Sequence, residues 1–144
     1  MIAPDGSTVA GILHRVPGYP FSVQTTTPLP EDFRAAAAAR TLIRTWLPQW
    51  GLSNLQEDAE LIVSELVGNA LRHGASPVTL TLGTSDGHLV LAVEDAAAAA
   101  LPIPRQAAAD ATDGRGMRII GALAARWGCS AGPSSKVVWA ELAA

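Results

Sequence analysis

The sequence predicts an α+β fold, a two-layer sandwich in which a mixed, mostly antiparallel sheet carries about three helices on one face. Stretches near the middle and the end of the chain alternate apolar and polar residues around turn signals, as antiparallel hairpins do. Three other stretches repeat apolar residues at helical spacing. The predicted order is strand, helix, helix, hairpin, loop, helix and hairpin, which sorts into one layer of strands and one layer of helices.

The first elements follow from short patterns near the N-terminus. Residues 1–18 mix Pro, Gly and Ser with one brief apolar run, so we expect a tail that can include an edge strand. The folded domain is expected over residues 19–144. Residues 19–25 alternate as a strand does, and the proline-rich TTPLPED that follows is expected to end it.

Two helices are predicted next. Residues 33–50, FRAAAAARTLIRTWLPQW, combine a run of the strongest helix former with an apolar face, and Pro48 and Gly51 are expected to close this helix. Residues 55–73 carry an apolar stripe at helical spacing and predict the second helix. Gly74 follows directly, in the position where a glycine commonly ends a helix.

The second half of the chain predicts a hairpin, a loop, a helix and another hairpin. Residues 77–95 alternate with period two on both sides of Ser-Asp-Gly, which is a hairpin signal. Residues 96–113 show no sustained period and contain two prolines, so we interpret them as a long loop that forms a mobile lid over a binding site. Residues 114–128, GRGMRIIGALAARWG, predict a third helix that opens on glycines, and residues 129–142 predict the final hairpin.

The composition limits the function classes. The chain has 144 residues, of which 49% are hydrophobic and 16% charged, so one domain with a substantial core is expected. The net charge is −3, whereas a nucleic-acid-binding surface is basic, and we therefore expect protein or small-molecule partners and no nucleic acid. Neither a secretory signal nor a long apolar span is recognisable, so a cytoplasmic protein without a membrane partner is expected.

One predicted helix carries polar residues that a purely structural helix does not need. In SELVGNALRH, Glu65 and Asn69 are four residues apart and lie on one helix face. A carboxylate can take a proton from an attacking hydroxyl, and an amide oxygen can hold Mg²⁺. The alternative is a solvated edge of an amphipathic helix, and the pair alone does not decide between the two interpretations.

Two further features point to a nucleotide. Asp95 ends the second strand of the predicted hairpin, where its carboxylate can accept a hydrogen bond from the exocyclic amine of a base or can cap the turn that follows. Gly114, Arg115 and Gly116 open the third helix, where glycines let the backbone approach a phosphate and the helix N-terminus favours an anion. Each feature is weak evidence when it is taken alone.

The motifs gain specificity when they are read in order along the chain. They are E-L-x-x-N-A-x-x-H at residues 65–73, V-E-D at 93–95, D-G-R-G-M at 113–117, L-A-x-R-W-G at 123–128 and K-V-V-W-A at 136–140. Together they resemble the ATP-binding superfamily of gyrase, heat-shock chaperones and histidine kinases. More narrowly, the chain resembles the short, single-domain anti-sigma-factor serine kinases of bacteria, especially the stand-alone regulatory ATPases of actinobacteria.

This resemblance covers residues 20–142 and implies roles for the residues of the Asn-containing motif. It implies a histidine-kinase-like ATPase fold that uses ATP and Mg²⁺ as cofactors. Glu65 would be the general base, and Asn69 would hold the Mg²⁺ that accompanies ATP. His73 would face the phosphates or, alternatively, cap the end of the helix, where a cationic side chain is favoured.

The resemblance also implies roles for the two later motifs. Asp95 would bind the adenine amino group, and the phosphates would be wrapped by the glycine motif Gly114, Arg115, Gly116 and Met117. The superfamily has D-x-G-x-G where this chain has Asp followed by four alanines, residues 96–99. Any left-handed backbone at those alanines costs about 1–2 kcal/mol more than at glycine.

Two functions from different classes follow. The first is an ATP-dependent protein serine/threonine kinase that phosphorylates an anti-anti-sigma-type partner, sequesters a sigma factor, or does both. The second is a non-catalytic regulator that keeps the fold and acts by protein contact with weak or no ATP binding. The motif residues favour the first function, and the alanines after Asp95 favour the second. Formation of a homodimer is compatible with either.

Overall fold

The computed structural model describes residues 23–97 and 118–143. Within these ranges five strands form one sheet, in the spatial order β1-β2-β3-β5-β4, and every neighbouring pair is antiparallel. The strands are β1 (Val23–Pro28), β2 (Thr79–Ser85), β3 (His88–Asp95), β4 (Arg126–Ala131) and β5 (Lys136–Ala143). The predicted tail at residues 1–18 and most of the predicted loop at 96–113 lie outside the described residues.

The helices form the second layer. They are α1 (Ala35–Gln49), α2 (Gln56–His73), which follows a short 3-10 turn at Ser53–Leu55, and α3 at residues 118–123. Each contributes side chains to one apolar cluster shared with the sheet, so the described helices pack on the same sheet face. The predicted α+β two-layer fold is confirmed.

The core between the layers is built from apolar residues at the spacing that the sequence shows. Helix α1 buries every fourth residue, at Ala35, Ala39, Ile43 and Leu47. Helix α2 buries a wider stripe, and one face of β2, β3 and β5 supplies the opposing side chains. These are Ile62, Val63, Leu66 and Val67 from α2 and Leu80, Leu82, Leu89, Leu91 and Leu142 from the sheet. Because α2 lies across the sheet in this way, its C-terminal turn reaches the ends of β3 and β5.

The hairpin between β2 and β3 turns where the sequence predicts. Asp86 and Gly87 both have positive φ, 50° and 79°, as the tight turn of a two-residue hairpin requires. The turn fixes the register of β3, and β3 in turn pairs with β5, so that Asp95 lies directly opposite Lys136 at the far end of the sheet. A local turn signal therefore sets the register of the strand that ends at Asp95, and the pairing of β3 with β5 then places Lys136 opposite it.

Two predicted boundaries in the first half of the chain shift. Strand β1 continues to Pro28, beyond the predicted end at residue 25, and an edge strand tolerates this proline because one side of its backbone needs no partner. Helix α1 begins at Ala35 rather than at Phe33, which is 88% exposed. Asp32 accepts hydrogen bonds from the backbone N–H of Arg34 at 2.9 Å and from its guanidinium, and so holds the preceding turn outside the helix.

The prediction of a helix over residues 114–128 is wrong over residues 124–128, and residues 114–117 lie outside the described part of the chain. Helix α3 ends at residue 123, and Arg126 begins β4. The alanine-rich sequence favours a helix locally, but pairing with β5 places Arg126 Nε 2.7 Å from Glu141 Oε1 and its guanidinium over the Trp139 ring. A Cβ on Gly128 would lie 3.0 Å from the same ring, so the strand also needs this glycine. Long-range packing therefore outweighs local helix propensity here.

Candidate functional site

The C-terminal part of α2 meets the ends of β3 and β5 around a small cavity that both polar and apolar side chains line. Its volume is about 10 Å³, which is room for roughly one water molecule. The lining side chains are Leu66, Asn69, Ala70 and His73 from α2, Val93 and Asp95 from β3, and Lys136 and Val138 from β5. The predicted site residues Asn69, His73 and Asp95 are thus brought together, although 26 residues separate Asn69 from Asp95 in the sequence.

Asp95 is the most constrained of these residues. Its side chain is buried, and Oδ1 accepts hydrogen bonds from the backbone N–H of Ala97 at 2.8 Å and of Ala75 at 3.4 Å. Ala96 N–H in turn donates to the Ala75 carbonyl at 2.8 Å. Asp95 therefore does cap the turn after β3, and it also ties that turn to the segment between α2 and β2. An ionised carboxylate has about four acceptor positions, so these contacts leave capacity on Oδ2.

Gly74 permits this arrangement because it has no side chain. A Cβ at this position would lie 2.5 Å from Asp95 Cγ and 2.5 Å from the Ala70 carbonyl oxygen. Gly74 ends α2 as the sequence predicts, but its φ of −103° is extended rather than left-handed. The glycine is needed for the close approach of Asp95, not for an unusual backbone conformation.

Lys136 is a site residue that sequence reasoning missed. Its Nζ lies 3.9 Å from Asp95 Oδ2, and the two side chains are only 3% and 2% exposed. It is the only lysine in the chain. A single lysine at the start of an apolar strand was the available signal, since a lysine is almost never fully buried unless it is paired.

Asn69 has one engaged and one unengaged polar atom. Its Oδ1 accepts a 2.8 Å hydrogen bond from Nη2 of Arg72, whereas its buried Nδ2 has no hydrogen-bond partner among the residues that the structure describes. Gly68 leaves room for this arrangement, because a Cβ there would lie 3.0 Å from Arg72 Nη1. The atom that is predicted to hold Mg²⁺ therefore already faces a cation, the Arg72 guanidinium, and neither residue type nor spacing indicates this contact.

The remaining predicted residues stand apart from the cavity. Glu65 is half-buried on α2, one turn before Asn69, and does not line the cavity. Within residues 23–97 and 118–143 its carboxylate has no hydrogen-bond or ion-pair partner. The predicted phosphate-binding residues Gly114, Arg115, Gly116 and Met117 lie outside the described residues.

Comparison with known proteins assigns the family. Residues 29–142 match the histidine kinase-like ATPase domain, and this range includes α2, the whole cavity and the sheet except for β1 and the last residue of β5. The chain belongs to the histidine kinase-like ATPase domain family. The predicted resemblance is confirmed at this level, and an ATPase-like domain implies nucleotide binding in general terms. No curated protein is significantly similar to the chain in sequence.

A solved structure agrees with the fold of this histidine kinase-like ATPase domain. The crystal structure of the RsbU and RsbW domains of Rv1364c from Mycobacterium tuberculosis matches with a TM-score of 0.63 and 18% sequence identity. The match covers 85% of this chain and 32% of that one, so the chain spans about a third of the length of that structure. At this identity the similarity concerns the fold.

The polar atoms of this histidine kinase-like ATPase domain fit Mg²⁺ that arrives with a nucleotide. In the described part of the chain no group of three His, Cys, Asp or Glu side chains could cage a metal. One neutral oxygen, Asn69 Oδ1, faces a cation. Mg²⁺ commonly keeps several waters and binds through one or two protein oxygens together with substrate phosphates, so a single such ligand suits it.

Among the described helices none is long and apolar enough to cross a membrane.

Proposed function

We propose that this protein binds Mg·ATP and transfers the γ-phosphate to a Ser or Thr of an anti-anti-sigma-type partner, sequesters a sigma factor, or does both. The observation that carries the proposal is the cavity lined by Asn69 from α2 and by the buried Asp95 from β3, with Asn69 Nδ2 left without a hydrogen-bond partner among the described residues. A buried polar atom without a partner is uncommon in a folded protein and needs an explanation, and a bound ligand supplies one. The family assignment and the fold shared with an RsbW domain support the choice of ligand and of partner class.

In this proposal each site residue binds a different part of the nucleotide. Asp95 accepts a hydrogen bond from the exocyclic amine of adenine, and its buried position makes that contact selective. Asn69 contributes its amide oxygen to Mg²⁺ after Arg72 withdraws, and His73 faces the phosphates. Mg²⁺ supplies charge neutralisation of the phosphates when it is bound.

Glu65 is the proposed general base. It accepts the proton of the partner's hydroxyl while that oxygen attacks the terminal phosphorus and ADP departs. The position one turn before Asn69 puts its carboxylate on the metal side of α2, and its lack of a described partner keeps the carboxylate available for this proton. A base must be close to both the hydroxyl and the phosphate, and neighbouring turns of one helix provide that proximity.

Nucleotide binding is tested by thermal unfolding with Mg·ATP, Mg·ADP and no nucleotide. A ligand at 100 times its dissociation constant that binds only the native state stabilises it by about 2.7 kcal/mol, which a melting curve resolves. Asp95→Asn should lose most of this effect, because its amide can present a donor where the amine needs an acceptor. An unshifted melting temperature for the unaltered protein at millimolar Mg·ATP would refute nucleotide binding.

Phosphoryl transfer is tested separately with Glu65→Gln. Loss of a general base typically slows transfer by about 10²–10⁴-fold, while ATP binding should remain. Glu57→Gln is the matched control, since Glu57 is an exposed glutamate in the first turn of the same helix. The assay follows labelled phosphate from ATP into a purified anti-anti-sigma-type protein, and equal rates for the two variants would remove Glu65 from the mechanism.

A second function is favoured by two specific observations. Arg72 already holds Asn69 Oδ1, and Asp95 already caps Ala97, at a position where the superfamily motif has a glycine. Both contacts satisfy site residues without a nucleotide, as expected of a regulator that acts by protein contact alone. Such a protein would bind its sigma factor with the same affinity with and without Mg·ATP, and an ATP-dependent affinity would exclude this alternative.

A further inference from the structure

We propose that Lys136 is a specificity-determining residue of the base pocket. In this proposal Asp95 accepts a hydrogen bond from the exocyclic amine of adenine. Lys136 donates a hydrogen bond to the ring nitrogen next to that amine. The proposal rests on the proposed function, because it assumes that the edge of the adenine ring binds at Asp95. It adds a second polar contact, which neither the sequence motifs nor the family assignment identifies.

The register of the sheet places the two groups side by side. Asp95 and Lys136 are directly paired across β3 and β5, at the end of the sheet that α2 covers. Directly opposite residues of an antiparallel pair project to the same face, and both side chains line the same cavity. The position of the ammonium is therefore set by backbone pairing rather than by a flexible loop.

The Lys136 ammonium is buried, whereas most lysine side chains are exposed on the protein surface. Lys136 is the only lysine of the chain, and its side chain is 3% exposed. Moving an ion out of water costs several kcal/mol, which a nearby opposite charge and hydrogen bonds must offset. An exposed lysine would avoid that cost, so the buried position indicates a requirement for a positive charge at this point in the cavity.

The separation of the pair suits a shared ligand. Nζ and Oδ2 are 3.9 Å apart, beyond the usual 2.7–3.2 Å of a direct hydrogen bond. At this distance the charges attract each other, and a polar group can still bind to both. An ammonium has three donor hydrogens, so a contact to a ligand is compatible with its other interactions.

The chemistry of adenine matches this pair of groups. The adenine edge presents an amine, which donates, next to a ring nitrogen, N1, which accepts. A carboxylate alone can recognise only the amine, whereas a carboxylate beside an ammonium recognises both. Recognition of N1 as well as the amine strengthens discrimination between adenine and other bases. A base without an acceptor at the N1 position would leave the buried Lys136 ammonium without that hydrogen bond.

The sole lysine allows a direct spectroscopic test. Protein labelled with ¹³C only at lysine gives a single Cε resonance, that of Lys136. Titration with Mg·ATP should move this resonance to a saturating value. An ATP analogue in which C–H replaces N1 should bind about tenfold or more weakly, since a hydrogen bond to a charged group is lost, and should move the resonance less.

Lys136→Met is the matched variant, because Met has a similar length and no charge. It should bind ATP about tenfold or more weakly and should no longer distinguish ATP from the analogue. A merely structural lysine would weaken both ligands equally, so an unchanged affinity ratio overturns the proposal. If Lys136→Met does not fold, the labelled unaltered protein decides: saturable ATP binding with an unmoved lysine resonance refutes this inference alone. Absence of any saturable ATP binding refutes the proposed function and this inference with it.

Discussion

Gly74→Ala tests how the Asp95 carboxylate is held in place. The new Cβ would lie 2.5 Å from the Ala70 carbonyl oxygen, 2.5 Å from Asp95 Cγ and 2.6 Å from Asp95 Oδ2. The first neighbour is helix backbone, and the second is a buried carboxylate that accepts a 2.8 Å hydrogen bond from Ala97. Neither can move away freely, so we expect the substitution to shift Asp95 and to destabilise the fold.

The magnitude follows from three contributions. Overpacking of a filled site costs about 1–3 kcal/mol, and a disturbed hydrogen bond to a charged group costs about 1.5–3 kcal/mol. Alanine at a backbone conformation that it can adopt restricts the unfolded chain and returns about 0.4–1 kcal/mol; the φ of −103° at Gly74 is such a conformation. The free energy of unfolding should therefore fall by about 1.5–5 kcal/mol.

Urea unfolding followed by tryptophan fluorescence measures this loss. With a slope of about 2 kcal/mol per molar urea, the midpoint should fall by about 0.8–2.5 M. Gly121→Ala in α3 is the matched control, because the nearest atom to its Cβ is Trp127 Nε1, at an ordinary 3.8 Å. The control should stabilise the protein by up to about 1 kcal/mol. If Gly74→Ala unfolds at the same urea concentration as the unaltered protein, the packing argument for Asp95 is wrong.

Two arginine substitutions test the other polar contacts. Arg72→Gln removes the cation that competes with Mg²⁺ for Asn69 Oδ1. We therefore expect the apparent affinity for Mg²⁺, measured by titration at fixed ATP, to be about two- to tenfold tighter. A weaker dependence of nucleotide binding on Mg²⁺ would contradict this competition. Arg126→Gln leaves Glu141 without its 2.7 Å partner, and among the described residues His88, at 3.5 Å, is then its remaining ion-pair partner. Burial raises the pKa of Glu141 above its usual 4.5, so the folded state holds a proton more readily than the unfolded state does. The free energy of unfolding of the variant should therefore fall as the pH rises from about 4.5 toward neutrality. Urea midpoints that do not change over that pH range would exclude the burial of the Glu141 carboxylate as the cause.

Local patterns in the sequence were sufficient for the elements that depend on neighbouring residues. The apolar stripe at residues 55–73 predicts α2 to within one residue, and Ser-Asp-Gly predicts the β2–β3 turn. The β2–β3 turn then determines the register of β3, the strand whose last residue, Asp95, lines the cavity. The predicted meeting of Asn69 and Asp95 followed because both lie on elements with strong local signals.

Features that depend on distant partners were missed or misassigned. Nothing local distinguishes Gly74 from an ordinary helix-ending glycine, because its reason is a carboxylate 21 residues away. Local sequence assigns only the first half of β4, residues 126–128, to a helix, because the stability of this strand comes from β5, through Arg126 and the Trp139 ring. The contact between Arg72 and Asn69 depends on the rotamer of an exposed side chain, which residue type and spacing do not determine.

The burial of the only lysine also has a consequence for the chemical reactivity of the molecule. Apart from Lys136 and the histidines, every cationic side chain of the sequence is a guanidinium group, which does not react with reagents directed at side-chain amines. Acylation or amine-directed cross-linking at a side chain can therefore proceed only when the sheet end at Lys136 opens. The rate of acylation at Lys136 thus reports how often this end of the sheet opens at the cavity, with one reactive side-chain amine per molecule.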